Sequence, residues 1–156
     1  MEQEIVENIE SGFKVTNIIL MASSFRREYV ITFDPAQIGH EVNIDVNVLV
    51  DNNKIAVTES LLFKQVRGID KTVEIEATVS MVGIFESVGT PTIDPNEFGN
   101  VNGAAIIFPY LREVLSSMCV KAGAAHIILH PYNFTRHKNK SEEDVKDNEE
   151  RKPVKE

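Results

Sequence analysis

Alternation of apolar and polar residues through the first 90 positions is the feature that most restricts the fold of this 156-residue chain. The segment 42–48 reads V-N-I-D-V-N-V, and a period of two is typical of strands that bury one face. The pattern predicts four strands, over about residues 13–25, 42–48, 55–66 and 72–85. Short turns at 51–54 and 67–70 separate the last three, so these strands are predicted to pair antiparallel.

Beyond residue 102 the period changes to that of a helix. Apolar side chains at 107, 110, 111, 114, 115 and 118 form one face of an amphipathic helix, with Gly123 as its expected end. Pro109 is expected in the first turn, where its missing amide donor costs nothing; a kink in a longer helix is the alternative. Strands first and helix last predict an α+β fold, a four-stranded antiparallel sheet with the helix packed on one face.

Charge divides the chain near residue 134. Residues 135–156 hold seven basic and seven acidic side chains and little apolar surface, so we expect a domain of residues 1–134 followed by a charged, disordered tail. Nine Lys/Arg against seventeen Asp/Glu in the domain disfavour nucleic acid and anionic membranes as partners. A lone cysteine, an acidic N-terminus and apolar stretches too short to span a membrane predict a cytoplasmic protein.

Catalytic and metal-binding motifs are missing from the sequence. It contains no phosphate-binding glycine loop, nucleophile elbow, zinc-protease motif or C-x-x-C. Cys119 is interpreted as a buried core residue rather than a nucleophile. His126 and His130 fit an extended segment with both rings on one side, and two solvated or core-edge histidines are favoured over a metal pair. The sequence therefore predicts neither an enzyme nor a cofactor or metal site.

Two strands carry residues that their own fold does not explain. Glu74 and Glu76 share one face of the fourth strand; without a histidine or a second carboxylate pair, a solvated face that serves as an acidic docking patch is favoured over catalysis. The third strand is apolar on both faces, with Leu61 on one side and Leu62 on the other. Since the helix covers one face, subunit association is expected to cover the other. A groove for an extended apolar ligand is the second explanation.

Several sequence blocks carry a family resemblance. They are Gly83-Ile84-Phe85, the run I-I-F-P-Y-L-R-E at 106–113, Ser117-Met118 and the run L-H-P-Y-N-F at 129–134, with Glu41–Val46 upstream. In residues and spacing, over about residues 13–134, they resemble the SecB family of export chaperones.

The resemblance implies a four-stranded antiparallel sheet with a long helix and a C-terminal helix, assembled as a homotetramer that is a dimer of dimers. It also implies a protein without catalytic activity that holds unfolded polypeptides or preproteins in apolar surface grooves. Typical members deliver these clients to the translocase motor SecA. The family's client groove is lined by the second strand, which gives Val42, Ile44, Val46 and Val48 as the expected client-binding residues here.

Two departures from the family pattern keep other functions open. Ala22 and Arg26 stand where the family carries acidic residues that dock SecA, while Glu76 retains part of the acidic surface. Polar residues follow Phe134 where the family has an amphipathic helix. A SecB-like chaperone dedicated to a toxin–antitoxin partner is therefore the first alternative. A small-molecule binding domain that merely shares the layout is the second, and the sequence offers no pocket residues for it.

Overall fold

The structure is a computed structural model that describes residues 12–135. Its elements are β1 (Phe13–Arg27), a 3-10 turn (Pro35–Gln37), β2 (Ile38–Asp51), β3 (Lys54–Arg67), β4 (Val73–Ser87), α1 (Pro95–Phe98), a π-helical turn (Gly99–Gly103) and α2 (Ala104–Lys121). The predicted fold class, one antiparallel sheet with a long helix, is confirmed. The predicted charged tail lies outside the described residues, apart from Thr135.

The sheet order β1-β4-β3-β2 places the first two strands at opposite edges. The strands β2, β3 and β4 follow one another as a meander, and all neighbours pair antiparallel. Residues 28–37 must therefore carry the chain from one edge of the sheet to the other; we call this segment the crossing connection. Asn52, with φ of 50°, closes the β2–β3 turn in the left-handed region that asparagine tolerates.

The helical region is longer than the sequence pattern predicted. Asp94 caps its start by accepting a hydrogen bond from the Glu97 amide (3.1 Å), and Pro95 occupies the first helical position. Helical backbone then continues through the π-helical turn into α2. The expectation that Pro109 lies in the first turn is wrong: it lies inside α2. The alternative, a longer helix with Pro109 in its interior, is the one observed. The helix begins at the Asp94 cap, well before the apolar stripe from which its start was predicted.

Helix α2 packs very close to one face of the sheet, which we call the helix face. A Cβ at Gly83 would lie 2.7 Å from Cδ1 of Ile107, and one at Gly99 would lie 2.6 Å from Cγ1 of Val48. Both distances are too short for a side chain, so glycine lets helix and sheet touch. The core forms at this contact, and its largest fully buried apolar side chains are Phe63, Phe85, Phe98, Ile55, Leu61, Ile75, Ile107, Leu111 and Leu115.

The opposite surface of the sheet, the open face, is only partly shielded. On β3, Ala56, Leu62 and Val66 point to it and are half-buried. Hydroxyl side chains occupy its middle, where Ser60 and Ser80 approach to 3.2 Å. β3 thus carries apolar side chains on both faces, as predicted, and Tyr132 from the segment after α2 lines part of a depression shared with Ser60 and Ser80.

Within residues 12–135, one helical stretch, Pro95–Lys121, is long and apolar enough to cross a membrane. It is the stretch whose inner face forms the core against the sheet, with Ile107, Leu111 and Leu115 fully buried. Packing on the sheet accounts for its apolar composition.

Glu59 is an acidic residue in the apolar core. It belongs to the helix face of β3, where its cross-strand neighbours are Val46 and Met81, and its side chain is fully buried. Neither carboxylate oxygen has a hydrogen-bond partner among the described residues. Burial raises the pKa of Glu59 from 4.5 to about 8, since desolvation disfavours the charged form. At neutral pH the folded chain therefore holds this carboxyl protonated.

This burial predicts a stability that falls with rising pH. The unfolded chain loses the proton near pH 4.5, whereas the folded chain keeps it up to about pH 8. Between these values each pH unit removes about 1.4 kcal/mol from the free energy of unfolding. Glu59→Gln has no proton to lose and is expected to abolish this slope. Urea midpoints at pH 5 and pH 8, at one protein concentration, measure it; equal slopes for both proteins would contradict the prediction.

Candidate functional site

The predicted groove residues lie on the helix face of β2 and differ in exposure. Ile44 is buried, whereas Val46 and Val48 are half-buried and pack against the core. Val42 is 37% exposed. The four side chains share one face, as the alternation predicted, but chiefly Val42 offers surface to a ligand. The other three side chains pack mainly against the core.

The crossing connection carries exposed apolar side chains that the sequence patterns did not predict. Tyr29, Val30 and Phe33 are 96%, 71% and 58% exposed, whereas Ile31 between them is buried. The connection leads through the 3-10 turn directly into β2. The run V-I-T-F at 30–33, ahead of Asp34 and Pro35, was the available signal. Exposed apolar side chains thus precede β2 in the connection and recur on β2 at Val42.

Glu74 ties the crossing connection to the sheet. Its carboxylate accepts hydrogen bonds from the Thr32 amide (2.8 Å) and hydroxyl (2.7 Å), from Gln65 Nε2 (3.0 Å) and from Arg67 Nε (2.9 Å). Its side chain is fully buried. Burial alone would raise the pKa of Glu74, but the hydrogen bonds from Thr32, Arg67 and Gln65 outweigh it and lower that pKa to about 2. Glu74 is thus an ionised anchor.

This position changes the role predicted for Glu74. It does not share a solvated face with Glu76, because the β3–β4 register shifts between Gln65 and Val66 and turns its carboxylate inward. A buried carboxylate with four donors presents no surface to a docking partner. Of the predicted acidic docking pair, Glu76 alone remains a candidate.

Glu76 lies half-buried on the open face between two cations. Its cross-strand neighbours are Arg26 on β1 and Lys64 on β3, so this part of the face has little net negative charge. Ala22 lies farther along β1, opposite Ser80. A depression of about 690 Å³ lies farther along the sheet, where Ala22, Ser60 and Ser80 line it together with the predicted groove residues Val42 and Ile44 and with Tyr132. The open face is polar rather than strongly acidic.

Arg27 holds the start of the crossing connection. Its guanidinium donates to the carbonyls of Glu28 and Tyr29, each at 2.8 Å, and to the carbonyl of Ala122 at the end of α2. The connection is thus bound to the helix at one point and to the sheet at another. The exposed side chains of Tyr29 and Val30 lie between these two points, and that of Phe33 follows the second.

Of the residues considered for catalysis or metal binding, Cys119 lies in the core, and His126 and His130 lie on the surface. Cys119 is fully buried in α2, and burial raises the pKa of its thiol to about 11, which opposes thiolate formation. His126 and His130 are exposed and alternate with buried Ile127 and Leu129, as the extended interpretation predicted. Within residues 12–135, no three His, Cys, Asp or Glu side chains come together to hold a metal ion.

Comparisons with known proteins agree on one family. The family model described as preprotein translocase subunit SecB matches residues 12–143. A protein-export protein SecB from Azoarcus is 25% identical over 134 residues, covering 83% of this chain and 87% of that protein. One from Saccharophagus degradans is 31% identical over 97 residues, covering 62% of this chain but only 56% of its own length.

A solved structure has the same fold. The SecB-like chaperone of Mycobacterium tuberculosis, in complex with a peptide from an antitoxin, superimposes with a TM-score of 0.68. The match covers 80% of this chain and 93% of that one at 14% sequence identity. At this identity the likeness establishes the fold.

The burial of Cys119 gives a direct chemical prediction. A thiol-specific reagent at pH 8 should label the native protein slowly, because the sulfur is inaccessible and its pKa lies near 11. Unfolding in urea should release the full reactivity of one thiol per chain. Rapid labelling of the native protein would contradict the core assignment.

Proposed function

This chain belongs to the SecB family of chaperones, which are not enzymes, and from that premise we propose that it is an ATP-independent holdase for unfolded polypeptides in the cytoplasm. The observation that carries the proposal is the exposure of Tyr29, Val30 and Phe33 on the crossing connection. Together with Val42 they form what we call the client surface. Val42 extends it along β2, where the buried Ile44 and the half-buried Val46 and Val48 follow on the same face.

Apolar contact is the physical basis of this binding. Each Å² of apolar surface that a client removes from water contributes about 25 cal/mol, reduced by the cost of ordering a flexible chain. Binding at one site is therefore weak, and a long client that contacts several sites binds more tightly. Such contacts tolerate many sequences, which suits a protein that recognises the unfolded state.

We further propose that the chain acts as a homotetramer, a dimer of dimers. The edge strand β1 supports this, since it exposes Val15, Ile19, Leu20 and Met21 by 39–61%. An edge strand with free backbone groups and apolar side chains favours pairing with a second copy. Ile106 and Tyr110, 40% and 51% exposed on α2, offer a further apolar surface for assembly.

Two delivery partners fit the family, and one observation separates them. Protein export through SecA requires an acidic docking surface, and here Ala22 and Arg26 replace acidic residues while Glu76 lies between two cations. This favours the alternative of a chaperone dedicated to one unstable partner, such as an antitoxin. The fold shared with a chaperone that binds an antitoxin peptide supports the same alternative. Pull-down from cells with added SecA or a toxin–antitoxin pair distinguishes them.

Loss of exposed apolar side chains should weaken client binding. Phe33→Ser and Val42→Ser are each expected to lower affinity for an unfolded, fluorescently labelled polypeptide, by about tenfold for Phe33 because a large apolar contact is removed. These positions are chosen because they are exposed, whereas serine at Ile44 would disturb the core. Fluorescence anisotropy titration measures the affinity, after circular dichroism has verified folding.

Leu49→Ser is the matched control. Leu49 is on the same strand and 67% exposed, but it points to the open face, so its loss should leave client affinity unchanged. Raising salt from 0.05 to 0.5 M, a roughly threefold shorter screening length, should have little effect. The apolar mechanism would be refuted if affinity fell steeply with salt and stayed unchanged in Phe33→Ser and Val42→Ser.

Assembly gives a separate prediction. Light scattering at micromolar concentration should report four chains per particle, and Leu20→Lys together with Met21→Lys should reduce the particle to smaller species by placing charge on the β1 edge. Ile69→Lys, in the exposed turn between β3 and β4, is the control. A wild-type monomer would contradict the assembly proposal.

A further inference from the structure

The crossing connection combines exposed apolar side chains with a backbone that is held in place. Its side chains Tyr29, Val30 and Phe33 face solvent, yet its backbone is fixed to the body of the protein. The Glu28 amide donates to the Glu74 carbonyl at 2.8 Å, and the Thr32 amide and hydroxyl both donate to the Glu74 carboxylate. The connection is an ordered apolar surface rather than a loose loop.

Glu74 makes the bonds that a neutral residue cannot replace. It accepts from four donor groups, whereas the amide nitrogen of glutamine accepts none. Gln65 also holds Thr32 directly, because its Nε2 donates to the Thr32 carbonyl (3.2 Å) as well as to Glu74. The amide, hydroxyl and carbonyl of Thr32 are thus all held by one cluster, which we call the Glu74 latch: Thr32, Gln65, Arg67 and Glu74.

Fixing Thr32 determines the directions of its neighbours. Ile31 is buried and Phe33 is 58% exposed, so the latch lies between an anchored residue and a presented one. If the connection were released, its three exposed side chains would sample many positions and would have to be ordered again on every binding event. Pre-organised groups avoid that entropic cost.

We propose that Glu74 is a positioning residue for client binding, which holds the crossing connection so that Tyr29, Val30 and Phe33 are presented to an unfolded polypeptide. This inference rests on the proposed holdase function and adds a residue that no client touches. Affinity for an apolar client then depends on a buried carboxylate outside the client surface.

The experiment uses a single tryptophan as reporter. The chain contains no tryptophan, so Tyr29→Trp gives a signal from the connection alone, and this variant is the reference for every comparison. Glu74→Gln in that background is expected to lower the steady-state anisotropy of Trp fluorescence, as the side chain gains local motion. It is also expected to weaken binding of an unfolded, labelled polypeptide by about tenfold.

Two further variants separate positioning from general stability. Thr32→Val removes the hydroxyl bond but keeps the carboxylate paired with Gln65 and Arg67, so a smaller shift in the same direction is expected. Glu86→Gln removes a half-buried carboxylate from the same strand at a distance from the latch and should leave anisotropy and affinity unchanged. Light scattering, circular dichroism and urea midpoints establish the folded fraction of each.

The outcomes distinguish the inference from the function on which it rests. Parallel losses of anisotropy and affinity in Glu74→Gln and Thr32→Val, with Glu86→Gln unaffected, support the positioning role. A folded Glu74→Gln that binds clients like the reference overturns it, and so does a loss of stability with unchanged affinity per folded chain. If the wild-type protein binds no unfolded polypeptide, the holdase proposal fails, whatever the tryptophan reports about the latch.

Discussion

The order of strands is the constraint on which the rest of the structure depends. Because β1 pairs with β4 and not with β2, the chain has to pass from one edge of the sheet to the other before the meander begins. A connection of this kind carries backbone polar groups past an apolar core, and each needs a partner. Arg27 and Glu74 supply many of these partners. With its backbone bonded in this way, the connection leaves several apolar side chains exposed, and the proposed function assigns them to client binding.

Local patterns revealed most of the sheet because one physical effect dominates there. Strand faces follow from alternation, and the burial of every second residue on β3 from Ile55 to Gln65 reproduces it. Glu59 obeys the same alternation and is buried because its neighbours are; its chemistry alone would place it in water. Position in the strand outweighs the polarity of a single side chain.

The functional residues that escaped the sequence are those whose partners are distant in the chain. Glu74 was predicted to be solvated because its sequence neighbours give no sign of its partner Thr32, which lies 42 residues earlier. They also give no sign of the register shift that turns its carboxylate inward. The family resemblance pointed to β2 as the client-binding strand, but the exposure of its side chains depends on how α1 and the π-helical turn pack against it. The position of Pro109 was predicted wrongly for a different reason: the apolar stripe does not reach back to Asp94, where the helix is capped.

Gly83 has a mechanical consequence for the far end of the molecule. The missing side chain at this position lets Ile107 lie directly on the sheet, so a larger residue there would push α2 away from β4. Leu111, Leu115 and Cys119 follow on the same buried face of α2, and the helix ends at the Ala122 carbonyl that accepts a hydrogen bond from Arg27. A single absent methyl group thereby sets the spacing between helix and sheet on which the contact between the end of α2 and Arg27 depends.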